Sequence, residues 1–380
     1  MIEDAVNVNR EGAIDVVDDE MDPTAWQGRR RLIEIAVFGA LIVGALFALP
    51  GLGELRDRLA GADAGLIALV AAVEIGSCLA FVAAFRGVFS RRLGWRFSYE
   101  VAMSEQAANV LLPTGGAGGL ALGAWALRRV GMPAERIGRR TVAFFLVTSS
   151  INFIAVIVAG VGLALGVLPG DAAIGVALIP AVGAALALGA IAFLPRALDG
   201  GHRKGGGGRI RDALASGREH LAGGIRDAIS LLGSGRPSVT LGAIGYMGLD
   251  VIALALAFAA LGGGAPPAGA FVLAYAVGQL GGLVPLPGGV GGTDGGLILA
   301  FGLLGTPVAI SGAAVIAYRV FQLGVPAILG LAAFAQLRRS LGRAEEPSAT
   351  ADDPCLADGA ADRPGEPCLG SALALEPHPA

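Results

Sequence analysis

Apolar residues run in long blocks along this chain, with the polar residues gathered between them. The blocks lie at about 32–49, 64–85, 141–168, 174–194, 238–261 and 308–335. Each is close to the roughly 20 residues an α-helix needs to cross a bilayer, so they predict six membrane spans. Two further apolar regions are interrupted. One consists of pieces at 99–112 and 120–127, each too short to cross comfortably, on either side of Gly115, Gly116, Gly118 and Gly119. The other, 268–305, is broken by Pro285-Leu286-Pro287-Gly288-Gly289-Val290-Gly291-Gly292-Thr293-Asp294-Gly295-Gly296. Proline removes a backbone donor and glycine opens conformations closed to other residues, so no continuous helix is expected through either break. A glutamine stands at the same interval before each cluster, Gln106 before Gly115 and Gln279 before Gly288. The two regions read as copies of one element.

The remaining segments are polar. Residues 1–28 are acidic with no periodic apolar face, and 344–380 are rich in Pro, Ala and Asp. Both are expected to be disordered tails. The insert 196–237 carries Ile210, Leu214, Leu221, Ile225, Ile229 and Leu232 at helical spacing with arginines between. That pattern predicts an amphipathic helix lying on the membrane surface. The expected organisation is a membrane domain over 29–343, with halves 29–195 and 238–343 around the insert.

Composition strengthens this picture. Hydrophobic residues make up 54% of the chain and charged residues only 16%, with a mean hydropathy of +0.68. The fold class is all-α, a polytopic helical membrane protein. The three cysteines and three histidines show neither a disulfide framework nor metal spacing. The acidic start is unlike a signal peptide. No nucleophile–base set, phosphate-binding loop or nucleotide fingerprint is present, so neither an enzyme, a cofactor nor a nucleic-acid partner is expected.

Charge placement sets the orientation. The segments holding Arg29–Arg31, Arg86–Arg96, Arg128–Arg140, the insert and Arg338–Arg343 contain 23 of the 28 lysines and arginines. The positive-inside rule makes that side cytoplasmic, with both termini there. The first broken region is flanked by basic segments at both ends, so it is expected to enter and leave on the cytoplasmic side. Three spans later, the second is expected to enter and leave on the outer side. Such a pair of hairpins forms an inverted repeat, whose broken helices meet near the midplane in transporters.

Ionisable residues at membrane depth mark functional positions. They are Glu74, Glu105, Asp250, Asp294 and Arg319. Glu105 and Asn109 share a helix face beside the first loop, as do Tyr246 with Asp250, Tyr275 with Gln279, and Thr148 with Asn152. Tyr318 and Gln322 flank Arg319. Arg319 keeps its charge at any working pH and offers several donors, which suits a lipid phosphate. The loop N–H groups at Gly115, Gly116, Gly288, Gly289, Gly291 and Gly292 add a second anion-binding element before the returning half-helices. Asp294 has three roles open to it: helix cap, proton carrier or partner of Arg319. Glu74 reads as a structural partner, and isolated glycines such as Gly160 and Gly162 as packing residues.

The element 285–296, followed by a span carrying Tyr318-Arg319, resembles the lysylphosphatidylglycerol synthase transmembrane-region family, also called flippase-like. The order of elements is similar too: glycine hairpin, two spans, basic insert, span, second hairpin. The resemblance covers about residues 30–340. Asp294 stands where members commonly carry an acidic residue, whereas the first hairpin lacks charge from Gly115 to Arg128, unlike many members. The resemblance implies the lipid-translocating half of such synthases and no lysylation of lipid.

The leading expectation is a multi-pass protein of the cytoplasmic membrane that moves an anionic, aminoacylated or polyprenyl-phosphate lipid between leaflets. Its phospholipid or polyprenyl-phosphate head group would lie among Glu105, Gln279, Asp294 and Arg319. Two alternatives remain open. One is a carrier of a small solute in which Glu105, Asp250 and Asp294 relay protons. The other is a non-transporting scaffold for a lipid-modifying or glycosyl-transferring enzyme partner.

Overall fold

The computed structural model describes residues 57, 60–90, 93–112, 116–199, 209–283, 289 and 291–344. The predicted span at 32–49 and nearly all of both tails lie outside these residues. So do the candidates Gly115 and Gly288. Regular structure among the described residues is all helical. Ten α-helices follow in order: α1 (Ala64–Phe89), α2 (Trp95–Leu111), α3 (Ala117–Arg129), α4 (Ala134–Ala164), α5 (Ile174–Asp199), α6 (Arg209–Gly233), α7 (Pro237–Ala260), α8 (Ala268–Gly278), α9 (Gly292–Leu303) and α10 (Val308–Ala344). A short 3-10 turn, Gln279–Leu283, continues α8.

Five of these, α1, α4, α5, α7 and α10, are long and apolar enough to cross a membrane. They match five of the six predicted spans. The helices α4 and α10 extend beyond the apolar blocks because their basic ends, Arg136–Arg140 and Arg338–Arg339, remain helical. Long cationic side chains at a helix end reach back toward the polar interface, so such extensions cost little.

Burial runs opposite to that of a water-soluble domain. Glu74, Glu100, Glu105, Asp250 and Arg319 are buried, while Ile179 and Leu186 on α5 and Ile328 on α10 are each about 70% exposed or more. Exposed apolar side chains over so many turns mark a surface solvated by something other than water. The chain is a multi-pass membrane protein.

The centre is the antiparallel pair α1 and α7. They approach closely where Gly242 meets the Ala80 and Ala84 backbone, a position at which a methyl group would stand 2.6 Å from the Ala84 nitrogen. Small residues at such crossings let helices associate in lipid, where no hydrophobic force drives them together. Ser77 Oγ donates to the Tyr246 carbonyl at 2.9 Å and thereby marks the register.

Each broken region folds as a pair of short helices, α2–α3 and α8–α9. In the first, α2 lies along α10 and α3 touches α4; in the second, α8 lies along α4 and α9 touches α10. Contacts gather the helix ends into two groups. In one, Asp63 N donates to Ala260 O and Gly269 N to Pro169 O, so the start of α1, the end of α7, the α4–α5 turn and the open end of α8–α9 lie together. In the other, Ser340 Oγ donates to Glu100 Oε2 and Arg140 Nη1 to Val88 O, joining the end of α10, the start of α2, the start of α4 and the end of α1.

Helix α6 departs from its sequence reading. Its buried side chains are Ala222, Ile225, Ala228 and Leu231, while Leu221 and Ile229 are exposed. The buried row faces protein: Gly223 and Gly224 let the helix lie flat on Arg139 and Val142 of α4. Arg139 Nη2 then donates to Asp227 Oδ1 at 3.0 Å. The helix is docked on the bundle, and part of the predicted apolar face remains outward.

Candidate functional site

Local sequence builds the tip of the second hairpin. Gly289 and Gly291 take φ of 67° and 86°, a left-handed region that other residues rarely enter. This sharp turn delivers the chain into the first turn of α9. Asp294 lies in that turn, and its Oδ2 accepts from Gly291 N at 2.7 Å. The two legs meet through glycine, since a methyl group at Gly296 would stand 2.5 Å from the Gly278 carbonyl oxygen. Phe258, Phe271 and Phe301, with ring centroids 5.1–5.6 Å apart, fasten the legs to α7.

Arg319 comes from α10 to meet this tip. Its Nε donates to Asp294 Oδ1 at 2.6 Å, and its Nη1 donates to Gln322 Oε1. Of the three roles open to Asp294, the structure shows two at once, with one oxygen capping the helix and the other holding the guanidinium. Arg319 is only 7% exposed, so its charge is held by the protein rather than by solvent. The Gly289 backbone passes so close that a methyl group there would stand 3.7 Å from Arg319 Nη2.

Next to Arg319 on α10, Tyr318 Oη donates to Asp250 Oδ2 at 2.7 Å. Tyr275 of α8 donates to the same oxygen, and Gln322 Nε2 approaches it at 3.4 Å. Gln279 hydrogen-bonds Tyr275 from the end of α8. Gln322 thus touches both the Arg319–Asp294 pair and Asp250. The structure unites Asp250, Gln279, Gly289, Gly291, Gly292, Asp294, Tyr318 and Arg319 around the second hairpin.

The first hairpin holds the rest. Asn109 Oδ1 accepts from Gly119 N at 3.2 Å, and Gly116 enters α3 with a φ of 92°. The Glu105 carboxylate fills the space over Gly123, where a methyl group would collide with its Oε1. Among the described residues Glu105 forms no ion pair. Gln106 reaches out of this hairpin to hydrogen-bond Tyr246 on α7, one turn from Asp250. Thr148 bonds back to its own helix at Phe144 O, while Asn152 Nδ2 donates to Ala276 O of α8.

Sequence reasoning set Glu74 apart from the site, and the structure puts it inside. Its side chain is 2% exposed and faces Asp250 across the α1–α7 pair. The signal was present in the helix register. With Ser77 against Tyr246 in an antiparallel pair, one turn back on α1 and one turn forward on α7 bring Glu74 to Asp250.

Beside the second hairpin, an apolar cavity of about 250 Å³ opens between α5, α8 and α9, lined by Ile179, Pro180, Leu273, Val277, Ala300 and Leu303.

No curated protein matches the chain. The profile of the family described as the lysylphosphatidylglycerol synthase TM region matches residues 31–330, spanning every helix described above except the end of α10. With most of its length matched and the glycine hairpins, buried Arg319 and Asp294 in place, this chain belongs to the lysylphosphatidylglycerol synthase transmembrane-region family.

Proposed function

We propose that this protein translocates a lipid with an anionic head group, aminoacylated or polyprenyl-phosphate lipids included, between the leaflets of the cytoplasmic membrane. The single observation that carries this reading is Arg319, a permanent charge buried beside a glycine loop and balanced by Asp294 and Gln322. An incoming phosphate offers the guanidinium a bidentate partner of the same charge type as Asp294. Exchange of one for the other admits a head group without leaving a bare cation in lipid. The first turn of α9 points its open N–H groups toward the same place, which favours an anion.

The packing of the hairpins supports an inverted repeat. The α2 leg lies on α10 and α3 meets α4, while the α8 leg lies on α4 and α9 meets α10, with α1 and α7 paired at the centre. Exchanging the two halves maps this set of contacts onto itself. The two hairpins open at opposite groups of helix ends, in agreement with the basic segments around the first. On this reading both hairpins are re-entrant and the head group passes between their tips, while the acyl or prenyl tails remain in lipid and in the apolar cavity beside α9. That cavity favours a lipid over a water-soluble cargo.

The test is leaflet-resolved translocation in proteoliposomes carrying labelled anionic, aminoacylated or polyprenyl-phosphate lipids. The wild type is expected to accelerate one class and the Arg319→Ala protein to lose that acceleration. A folded Arg319→Ala protein moving the lipid at the wild-type rate contradicts the proposal.

A further inference from the structure

The interior holds two acids with nothing but each other on one side. Glu74 of α1 and Asp250 of α7 are 2% and 6% exposed, and the register fixed by Ser77 and Tyr246 sets them side by side in the antiparallel pair. Tyr318, Tyr275 and Gln322 all donate to Oδ2 of Asp250. Its Oδ1, and Oε2 of Glu74, are fully buried with no donor among the described residues. Two carboxylates facing each other away from water repel, and each orphaned acceptor adds a desolvation cost. One proton between them removes both penalties, since the protonated acid donates to the ionised one.

We infer that Glu74 and Asp250 form a proton-binding site that holds one proton between them at neutral pH and is joined through Tyr275, Tyr318 and Gln322 to the Arg319–Asp294 pair. The surroundings fit a proton better than a metal ion. Three donors rather than acceptors crowd Asp250. The other groups near the pair are Cys78 on α1, Tyr246 on α7, Tyr275 on α8, and Tyr318 and Arg319 on α10. On α2, Gln106 bonds Tyr246 and Tyr99 faces Cys78. The charged residues of α4, Glu135, Arg136, Arg139 and Arg140, are confined to its first two turns. Arg319 is therefore the one cation in this set, and it is already engaged by Asp294.

The site has a consequence for the hairpin. Release of the proton leaves a second full charge facing Asp250, strengthens its pull on the three donors, and changes the partner available to Gln322. Because Gln322 also holds Arg319, proton release is felt at the tip of the second hairpin. Such a link between a buried acid pair and a substrate cation is the physical ingredient of proton coupling.

Infrared spectroscopy of the full chain in lipid nanodiscs reads the site without any substrate, so it is decided separately from the transport proposal. A protonated-carboxyl C=O stretch that shifts in D₂O is expected at neutral pH. In a Glu105→Gln background, which removes the other buried acid without an ion pair among the described residues, the band should persist. Adding Glu74→Gln, which supplies an amide donor in place of the proton, should abolish it. A band unchanged when Glu74→Gln is added and the protein is folded overturns the inference. So does a background band abolished by sodium at constant pH, which would mean the pair binds a metal cation. If Glu74→Gln does not fold in that background, the background protein decides. The shared proton stabilises the fold only while bound, so the melting temperature should fall as pH rises through its release. A melting temperature flat across that range overturns the inference.

Discussion

The two hairpins are the same device built with different chemistry. In the second, the legs touch backbone to backbone at Gly278 and Gly296, and the tip carries a carboxylate locked to an arginine from a neighbouring helix. In the first, the legs also meet backbone to backbone, at Gly119 and the Glu105 carbonyl, but side chains fill the rest of the seam, with Asn109 bonded to Gly119 N and the Glu105 carboxylate lying over Gly123. The second hairpin is rigid and electrically balanced. The first offers a buried acid with no ion-pair partner among the described residues. A similar architecture carries a paired arginine and carboxylate in one half and, among the described residues, an acid without an ion pair in the other. The difference shows that the glycines supply the shape of these elements, while the one or two ionisable residues beside them set what each can do.

The comparison is broken most strongly at Arg319. Arg319→Ala removes two charge-assisted hydrogen bonds and leaves Asp294 half-buried without its cation, for a loss of roughly 2–3 kcal/mol. Thermal unfolding in detergent or nanodiscs should register it, and Asp294→Asn should cost less because the cap to Gly291 survives. The glycines sharpen the contrast at a smaller scale. Gly296→Ala drives a methyl group into the Gly278 carbonyl, whereas Gly123→Ala meets the movable end of Glu105. Gly296→Ala should therefore destabilise by about 1–3 kcal/mol, and Gly123→Ala by less, as read by the same unfolding experiment. The smallest effect belongs to Asn109→Ala, which frees Gly119 N at the cost of one neutral hydrogen bond, about 1 kcal/mol. Equal losses at Gly296 and Gly123 would mean that the two hairpins close in the same way.

Much of this architecture is legible in the residues. Apolar blocks of bilayer length locate the spans, and Arg319 and Asp294 stand out because an ionisable residue inside such a block is expensive. Their pairing was one of several readings, since spacing along the chain says nothing about which of Glu105, Asp250 and Asp294 the arginine meets. Glu74 shows the same limit. Its partner lies on a helix far along the sequence, and only the Ser77–Tyr246 contact reveals the register. The docking face of α6 is hidden for a related reason. Leu221 and Ile229 have the right period, yet the docking surface is set by Gly223 and Gly224 against α4, and glycine carries no hydrophobic signal.

The central claim is that the two hairpins open toward opposite faces of the membrane. Single-cysteine labelling in sealed vesicles of defined orientation tests it, with Cys78, Cys355 and Cys368 replaced. Glu135→Cys lies just after the first hairpin and Ala265→Cys just before the second, and both positions are exposed. An impermeant thiol reagent should reach Glu135→Cys only from the cytoplasmic side and Ala265→Cys only from the outer side. Labelling of both from one side would contradict the inverted arrangement and, with it, a pathway between the hairpin tips.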